Sequence, residues 1–158
     1  MNAEQVQVYV DRFRRELLGQ EAEPHSVLVE AGAIAKFARA VGATDPIYHD
    51  ADYARTTRHG TIIAPPTYPS HLMFQLLSVT KGLIGMAPDL PRVLHTDDVV
   101  DSWEMIKAGD VITSTARCAD IFQRQGRAGA MLFQAVDFTQ VNQHGRKVCV
   151  VRMITVQF

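Results

Sequence analysis

The stretch from Thr67 to Lys81 sets the strongest constraint on this chain. It carries Leu72, Met73, Phe74, Leu76, Leu77 and Val79 and is apolar nearly all round. A helix formed here has no face to give to water, so it needs cover from the rest of the domain. Pro65-Pro66 fixes an extended approach, and a proline at a helix start costs little because that N–H has no intrahelical partner. Lys81 suits the negative end of the helix dipole, and Gly82 suits its cap. The cover comes from downstream. Arg92 to Ile106, Val111 to Phe122, Ala130 to Val141 and Lys147 to Phe158 read as strands. Lys107-Ala108-Gly109-Asp110, Arg124 to Gly129 and Asn142-Gln143-His144-Gly145 read as the turns between them. Consecutive hairpins predict an antiparallel meander. The layout is α+β, with a long central helix wrapped by an antiparallel sheet.

Upstream, Val6, Val10, Phe13 and Leu17 recur at helical spacing, while Arg12, Arg15 and Glu16 lie off that stripe. Residues 1–25 are therefore expected to hold an amphipathic helix packed on the domain, stopped near Gly19. Ser26 to Val29 reads as a short strand. Ile34, Phe37, Ala38 and Val41 give a second helix ending at Gly42. Asp45-Pro46 is a turn signal, because the residue before proline is pushed out of the helical region. Asp50 to Arg58 reads as a further short helix.

The chain has 158 residues, 47% hydrophobic and 21% charged, which fits one soluble globular domain. Its 17 acidic and 16 basic residues nearly cancel, so no basic face for nucleic acid is implied. No run of about 18 apolar residues is present for a membrane span, and charged residues fill the N-terminus where a secretory core would be apolar. The expected location is the cytoplasm. Cys118 and Cys149 show no metal-ligand spacing; they read as two buried small hydrophobes, and a disulfide between them stays open.

Ala43-Thr44-Asp45-Pro46-Ile47-Tyr48-His49-Asp50 followed by Ile62-Ile63-Ala64-Pro65-Pro66-Thr67 resembles the hot-dog proteins of the MaoC group. The likeness is to their single-domain type, the fatty-synthase-like dehydratase N-terminal domains, and it runs from about Val27 to the C-terminus. Ala108-Gly109-Asp110, the Arg124 to Gly129 turn and the final hairpin keep the same order. The resemblance implies a hot-dog domain over residues 26–158, paired with a second one as a homodimer or heterodimer. It implies an acyl-thioester tunnel at their interface and reversible hydration of an enoyl thioester of coenzyme A or acyl carrier protein. It implies no metal and no redox cofactor. Such chemistry needs one acid, one base and a backbone N–H aimed at the thioester oxygen.

The active MaoC pattern is Asp, any residue, Asn, Pro, an aliphatic, then His. Aligned on Pro46 and Ile47, Ala43 stands at the aspartate, Asp45 at the asparagine and Tyr48 at the histidine, with His49 one residue later. Pro65-Pro66 stands where active members place His-Gly, so only Thr67 is left to donate an N–H there. These departures resemble the accessory subunits of heteromeric (3R)-hydroxyacyl-thioester dehydratases, in which another chain brings the catalytic pair. Two roles stay open for each residue. Asp45 is a catalytic carboxylate or a turn-stabilising residue before Pro46. His49 is a general acid or base, or a loop histidine bonding a backbone carbonyl. Tyr48, Ile63, Ala64, Pro65, Pro66 and Thr67 are the expected substrate-binding set. Arg127 is either a carrier-phosphate contact or a solvated hairpin tip. His71 reads as a core histidine. The expected role is the substrate-binding half of a hetero-oligomeric hydratase. The alternatives are a self-sufficient homodimeric (R)-specific enoyl-CoA hydratase using Asp45 and His49, and a non-enzymatic acyl-CoA-binding module. Thioester hydrolysis fits poorly, because the central helix holds no Asp or Glu.

Overall fold

The computed structural model describes residues 2–76, 82–127 and 129–158. The chain starts with α1 (Ala3–Leu17), which opens on a reciprocal cap. Asn2 Oδ1 accepts from the Gln5 N–H at 2.9 Å, and Gln5 Oε1 accepts from the Asn2 N–H at 3.1 Å. Then come β1 (His25–Leu28), α2 (Ala31–Ala40), a 3-10 turn (Pro46–Tyr48), α3 (Ala51–Thr56) and α4 (Tyr68–Leu76). Four strands follow: β2 (Val93–Ser102), β3 (Val111–Gly126), β4 (Gly129–Val141) and β5 (Lys147–Gln157). The expected helix runs to Lys81, and its residues 77–81 lie outside the described ones.

Among the described residues, all five strands form one antiparallel sheet in the order β1-β3-β4-β5-β2. The meander is therefore β3-β4-β5 alone. β2 does not form a hairpin with β3 but crosses to the far edge and pairs with β5, Val93 opposite Gln157 and Ser102 opposite Cys149. The reason is competition for an edge. β1 already occupies the free side of β3, and Val29 and Gly109 extend that seam, with Val29 N–H to Asp110 O and Gly109 N–H to Val29 O both at 2.8 Å. The Arg124 to Gly129 turn is also tighter than expected. Arg124 pairs with Met131 and Gly126 with Gly129, so the ladder runs nearly to the tip. Phe122 and Phe133 stack there at 5.2 Å, with the Arg124 guanidinium over both rings.

Strand alternation puts Ala130, Leu132, Gln134, Val136, Phe138 and Gln140 of β4 on the covered face. α4 buries Met73 and Leu76 there, against Val136, Phe138, Val151 and Met153. α1 covers the neighbouring part, with Val6, Val10 and Phe13 on Cys118, Ile121 and Leu132. This is the helix-and-sheet arrangement of a hot-dog domain. One part of the expectation fails. Phe74 is 47% exposed and Gln75 is exposed, so α4 keeps one side open.

Two buried glutamines tie down the loop that follows. Gln134 and the Gly85 backbone exchange two hydrogen bonds of 2.8 Å, and Gln157 bonds Gly85 O and the Ala87 N–H at 2.6 and 2.9 Å. Gly85 also lies against Phe13, whose ring would stand 2.7 Å from an added Cβ. Gly85→Ala is expected to destabilise the fold by about 1–3 kcal/mol, read as a lower urea midpoint.

The cysteines are free and buried in separate clusters, on β3 and β5 with β4 between them. The disulfide alternative is thereby excluded. Burial pushes both thiols up, Cys149 to about 12, so both stay protonated and unreactive in the folded state. A thiol-specific chromogenic reagent at about pH 8 should label neither cysteine in native protein and both after unfolding; fast labelling of the native chain would contradict the packing.

Candidate functional site

The segment after α2 turns sharply at Gly42, where φ is +73° and a side chain would be strained. The Asp45 side chain then caps the 3-10 turn, Oδ1 accepting from the Ile47 N–H at 2.9 Å. Pro46 presets the φ that turn needs. The turn swings the Tyr48 ring toward α4. It also folds His49 back, so that His49 Nε2 lies 2.7 Å from the Ala43 carbonyl oxygen and donates to it. Asp50 in turn caps α3 through the N–H groups of Asp52 and Tyr53. Asp45, His49 and Asp50 thus each have a local backbone partner.

Opposite this loop stands the start of α4. Its approach is pinned by Ala64 N–H to Ile106 O at 2.8 Å. Ile63 and Ala64 are buried, and Ile63 bridges Lys107. Three prolines, Pro65, Pro66 and Pro69, surround the first turn and carry no N–H. The Tyr68 N–H donates to Pro65 O at 2.9 Å and the Ser70 N–H to Thr67 O at 3.2 Å. Only the Thr67 amide lacks an acceptor there among the described residues. From below, Gln140 holds the turn in place. Its Nε2 donates to Pro69 O at 2.9 Å while its Oε1 accepts from Cys149 Sγ at 2.9 Å.

Between these two walls lies an open groove of about 590 Å³. Phe37, Val41, Tyr48, Pro66, Ser70 and Phe74 line it, with Pro65, Thr67, Ala43 and His71. This size fits a small-molecule site, and the lining is largely apolar with few polar groups. Of the expected set, Tyr48, Pro65, Pro66 and Thr67 meet in the groove. Ile63 and Ala64 lie behind it in the core. His49 lines an adjoining hollow with Ala43, Thr44 and Arg39. Asp45 faces solvent at its cap, and Arg127 is exposed at the β3–β4 tip, lining neither cavity.

His71 is the groove residue that sequence reasoning assigned elsewhere. It is half-buried, packs its ring on Phe37 and Tyr68 at 5.4 Å each, and meets Gln75 Nε2 at 3.1 Å. Its signal was present. Thr67, Ser70, His71 and Phe74 stand at helical spacing and share one face. Tyr68 supports this wall from inside, with Phe37 edge-on at 5.2 Å. Its burial pushes the phenol up, with a further push from the Glu30 carboxylate, so it stays neutral.

A helix wrapped by this sheet, with an apolar groove at the helix start, defines a hot-dog protein of the MaoC type. The family model of the FAS1-like dehydratase domain region matches residues 16–151, and the chain belongs to that family. It is 33% identical to a UPF0336 protein of Clavibacter michiganensis over 103 residues, 64% of this chain and 68% of that one. Its fold is that of two Mycobacterium tuberculosis structures. The HadBC (3R)-hydroxyacyl-ACP dehydratase complex aligns with a TM-score of 0.70 at 17% identity, over 89% of this chain and 96% of that one. The ChsH1–ChsH2 complex aligns with a TM-score of 0.69 at 20% identity, over 99% of this chain and 97% of that one.

Gln140→Leu tests the anchor beneath the groove. It leaves the Cys149 thiol without its acceptor and removes the amide from Pro69 O, with an expected loss of about 1–3 kcal/mol in chemical denaturation.

Proposed function

We propose that this chain is the substrate-binding half of a MaoC-type enoyl-thioester hydratase/3-hydroxyacyl-thioester dehydratase. A second MaoC-like hot-dog chain completes the dimer and brings the catalytic Asp and His. One observation carries the reading. The acyl groove is built, but the acid–base pair beside it is not. Ala43 stands at the aspartate position, and the histidine of the same loop, His49, spends its Nε2 on the Ala43 carbonyl. Asp45 is committed to capping the 3-10 turn. A general base must reach the proton it takes; neither side chain lines the groove, and His71, which does, meets Gln75 and has no carboxylate among the lining residues to pair with it.

The helix start supports the same division of labour. Three prolines strip donors from the place where a thioester oxygen gathers charge, which leaves the Thr67 amide as the local donor. Phe37, Tyr48 and Phe74 instead offer apolar area for an acyl chain, carried as a coenzyme A or acyl-carrier-protein thioester. The family membership and the heteromeric complexes that share the fold agree with this assignment. No metal or redox group enters the proposed reaction, in which water adds across the enoyl double bond.

The test is hydration of trans-2-enoyl-CoA thioesters, short to long, by the purified chain alone, beside His49→Ala. Binding without turnover is expected, with turnover appearing once a catalytic MaoC-like partner is added. Turnover by the chain alone that vanishes in His49→Ala would instead establish the self-sufficient hydratase. Filling the groove with Ser70→Trp should weaken thioester binding at least about tenfold, a loss of about 1.4 kcal/mol, with the fold intact by circular dichroism.

A further inference from the structure

The α4 wall of the groove carries more polarity than a plain alkyl chain can use; this inference rests on the acyl-binding role proposed above. Thr67, Ser70, His71 and Phe74 all line the groove, so it follows α4 for about two turns. With the thioester oxygen at the Thr67 amide, the acyl tail runs past Ser70 and His71 toward Phe74. Four residues of helix put His71 roughly 6 Å beyond Thr67. The imidazole therefore stands beside the middle of the acyl chain, past the carbons that react with water.

This imidazole is firmly held but only half used. It packs on Phe37 and Tyr68, with ring centroids 5.4 Å from each. Its Nε2 meets the Gln75 amide nitrogen at 3.1 Å. An amide nitrogen only donates, so Nε2 accepts and the ring proton sits on Nδ1. Among the described residues, the Nδ1–H has no acceptor and the Ser70 hydroxyl has no partner. The side chains around them in the groove, Phe37, Val41, Pro66 and Phe74, are apolar and offer no hydrogen bond.

An alkyl chain laid along this wall excludes water from both groups and returns nothing to them. A donor shut away without an acceptor is penalised. A hydroxyl on the acyl chain removes the penalty, because it accepts from the Nδ1–H and can donate to or accept from Ser70 Oγ. Sites that hydrogen-bond a ligand hydroxyl discriminate against the analogue lacking it more sharply than apolar pockets discriminate on a methylene. We propose that the groove selects acyl thioesters bearing a hydroxyl partway along the chain, beyond the third carbon, with His71 Nδ1–H and the Ser70 hydroxyl as its partners. His71 is then a specificity-determining residue whose ring is positioned by Phe37, Tyr68 and Gln75.

The test titrates the full chain calorimetrically with octanoyl-CoA and with its monohydroxy analogues, the hydroxyl moved one carbon at a time from the fourth carbon outward. One position, or two neighbouring ones, is expected to bind at least about tenfold more tightly than octanoyl-CoA, a gain of about 1.4 kcal/mol. His71→Phe keeps a ring against Phe37 and Tyr68 and removes both nitrogens. It is expected to cut the preference at least about threefold while holding octanoyl-CoA no less tightly than the unmodified chain. Ser70→Ala, which leaves the ring packing alone, is expected to reduce the preference as well. Circular dichroism checks that both variants fold. A preference that survives unchanged in His71→Phe overturns the proposal, since ring packing alone would then account for His71; Ser70→Ala decides in the same way if the first variant does not fold. Equal binding of octanoyl-CoA and every analogue overturns the proposal and leaves the acyl-binding role standing. Absence of binding by any thioester overturns both.

Discussion

One face of β4 carries the rest of the molecule. Ala130 and Leu132 receive α1, Val136 and Phe138 receive α4, Gln134 holds the loop at Gly85, and Gln140 holds the first turn of α4. The two glutamines are fully buried, where an unpaired amide would be costly, and both are satisfied, Gln134 by the Gly85 backbone and Gln140 by Pro69 O and the Cys149 thiol. A single strand thereby fixes the height of the helix and the path of the loop on either side of it. The groove inherits its floor from that strand, because Gln140 reaches the backbone of the turn that forms one groove wall.

Chemistry at the groove is decided by what its loop does with polar side chains. In the Ala43–Asp50 segment three of them are used locally: Asp45 caps a turn, His49 bonds the Ala43 carbonyl, and Asp50 caps α3. Such contacts shape backbone rather than move protons. The Ala43 backbone carbonyl takes up the imidazole of His49. The loop is well ordered by its own hydrogen bonds and presents an apolar ring, Tyr48, to the groove.

Most of the fold was legible in the sequence because alternation along β3, β4 and β5 and the apolar run of α4 leave few ways to cover a core. Strand order was less so. Hairpin turns suggested β2 beside β3, but a turn sequence says only that the chain reverses, not which strand holds the edge. β1, four residues long, carried too little pattern to announce that it would take that place. At the site, the departures at Ala43, Tyr48 and Pro65-Pro66 could be read directly from the order of residues. That His49 bonds a backbone carbonyl was one of its two readings; which carbonyl could not be read, because the six-residue separation to Ala43 closes only when Gly42 and Pro46 fold the loop. His71 was misjudged for the opposite reason. A helix that looked apolar on all sides hid a face of Thr67, Ser70 and His71, small or polar enough to stand open.

The prolines around the first turn of α4 have a consequence of their own. A ring that locks φ in the free protein has already surrendered that freedom before any ligand arrives. Pro65, Pro66 and Pro69 therefore make this wall of the groove stiff by covalent design, with Gln140 braced behind it. A ligand entering here has little backbone left to order on that side, so more of its contact energy is retained as affinity. The same stiffness limits how far the wall can yield. Ligands would be sorted by shape against a fixed surface on the α4 side, while the opposite wall, built on a loop and a rotatable tyrosine ring, is where adjustment can occur.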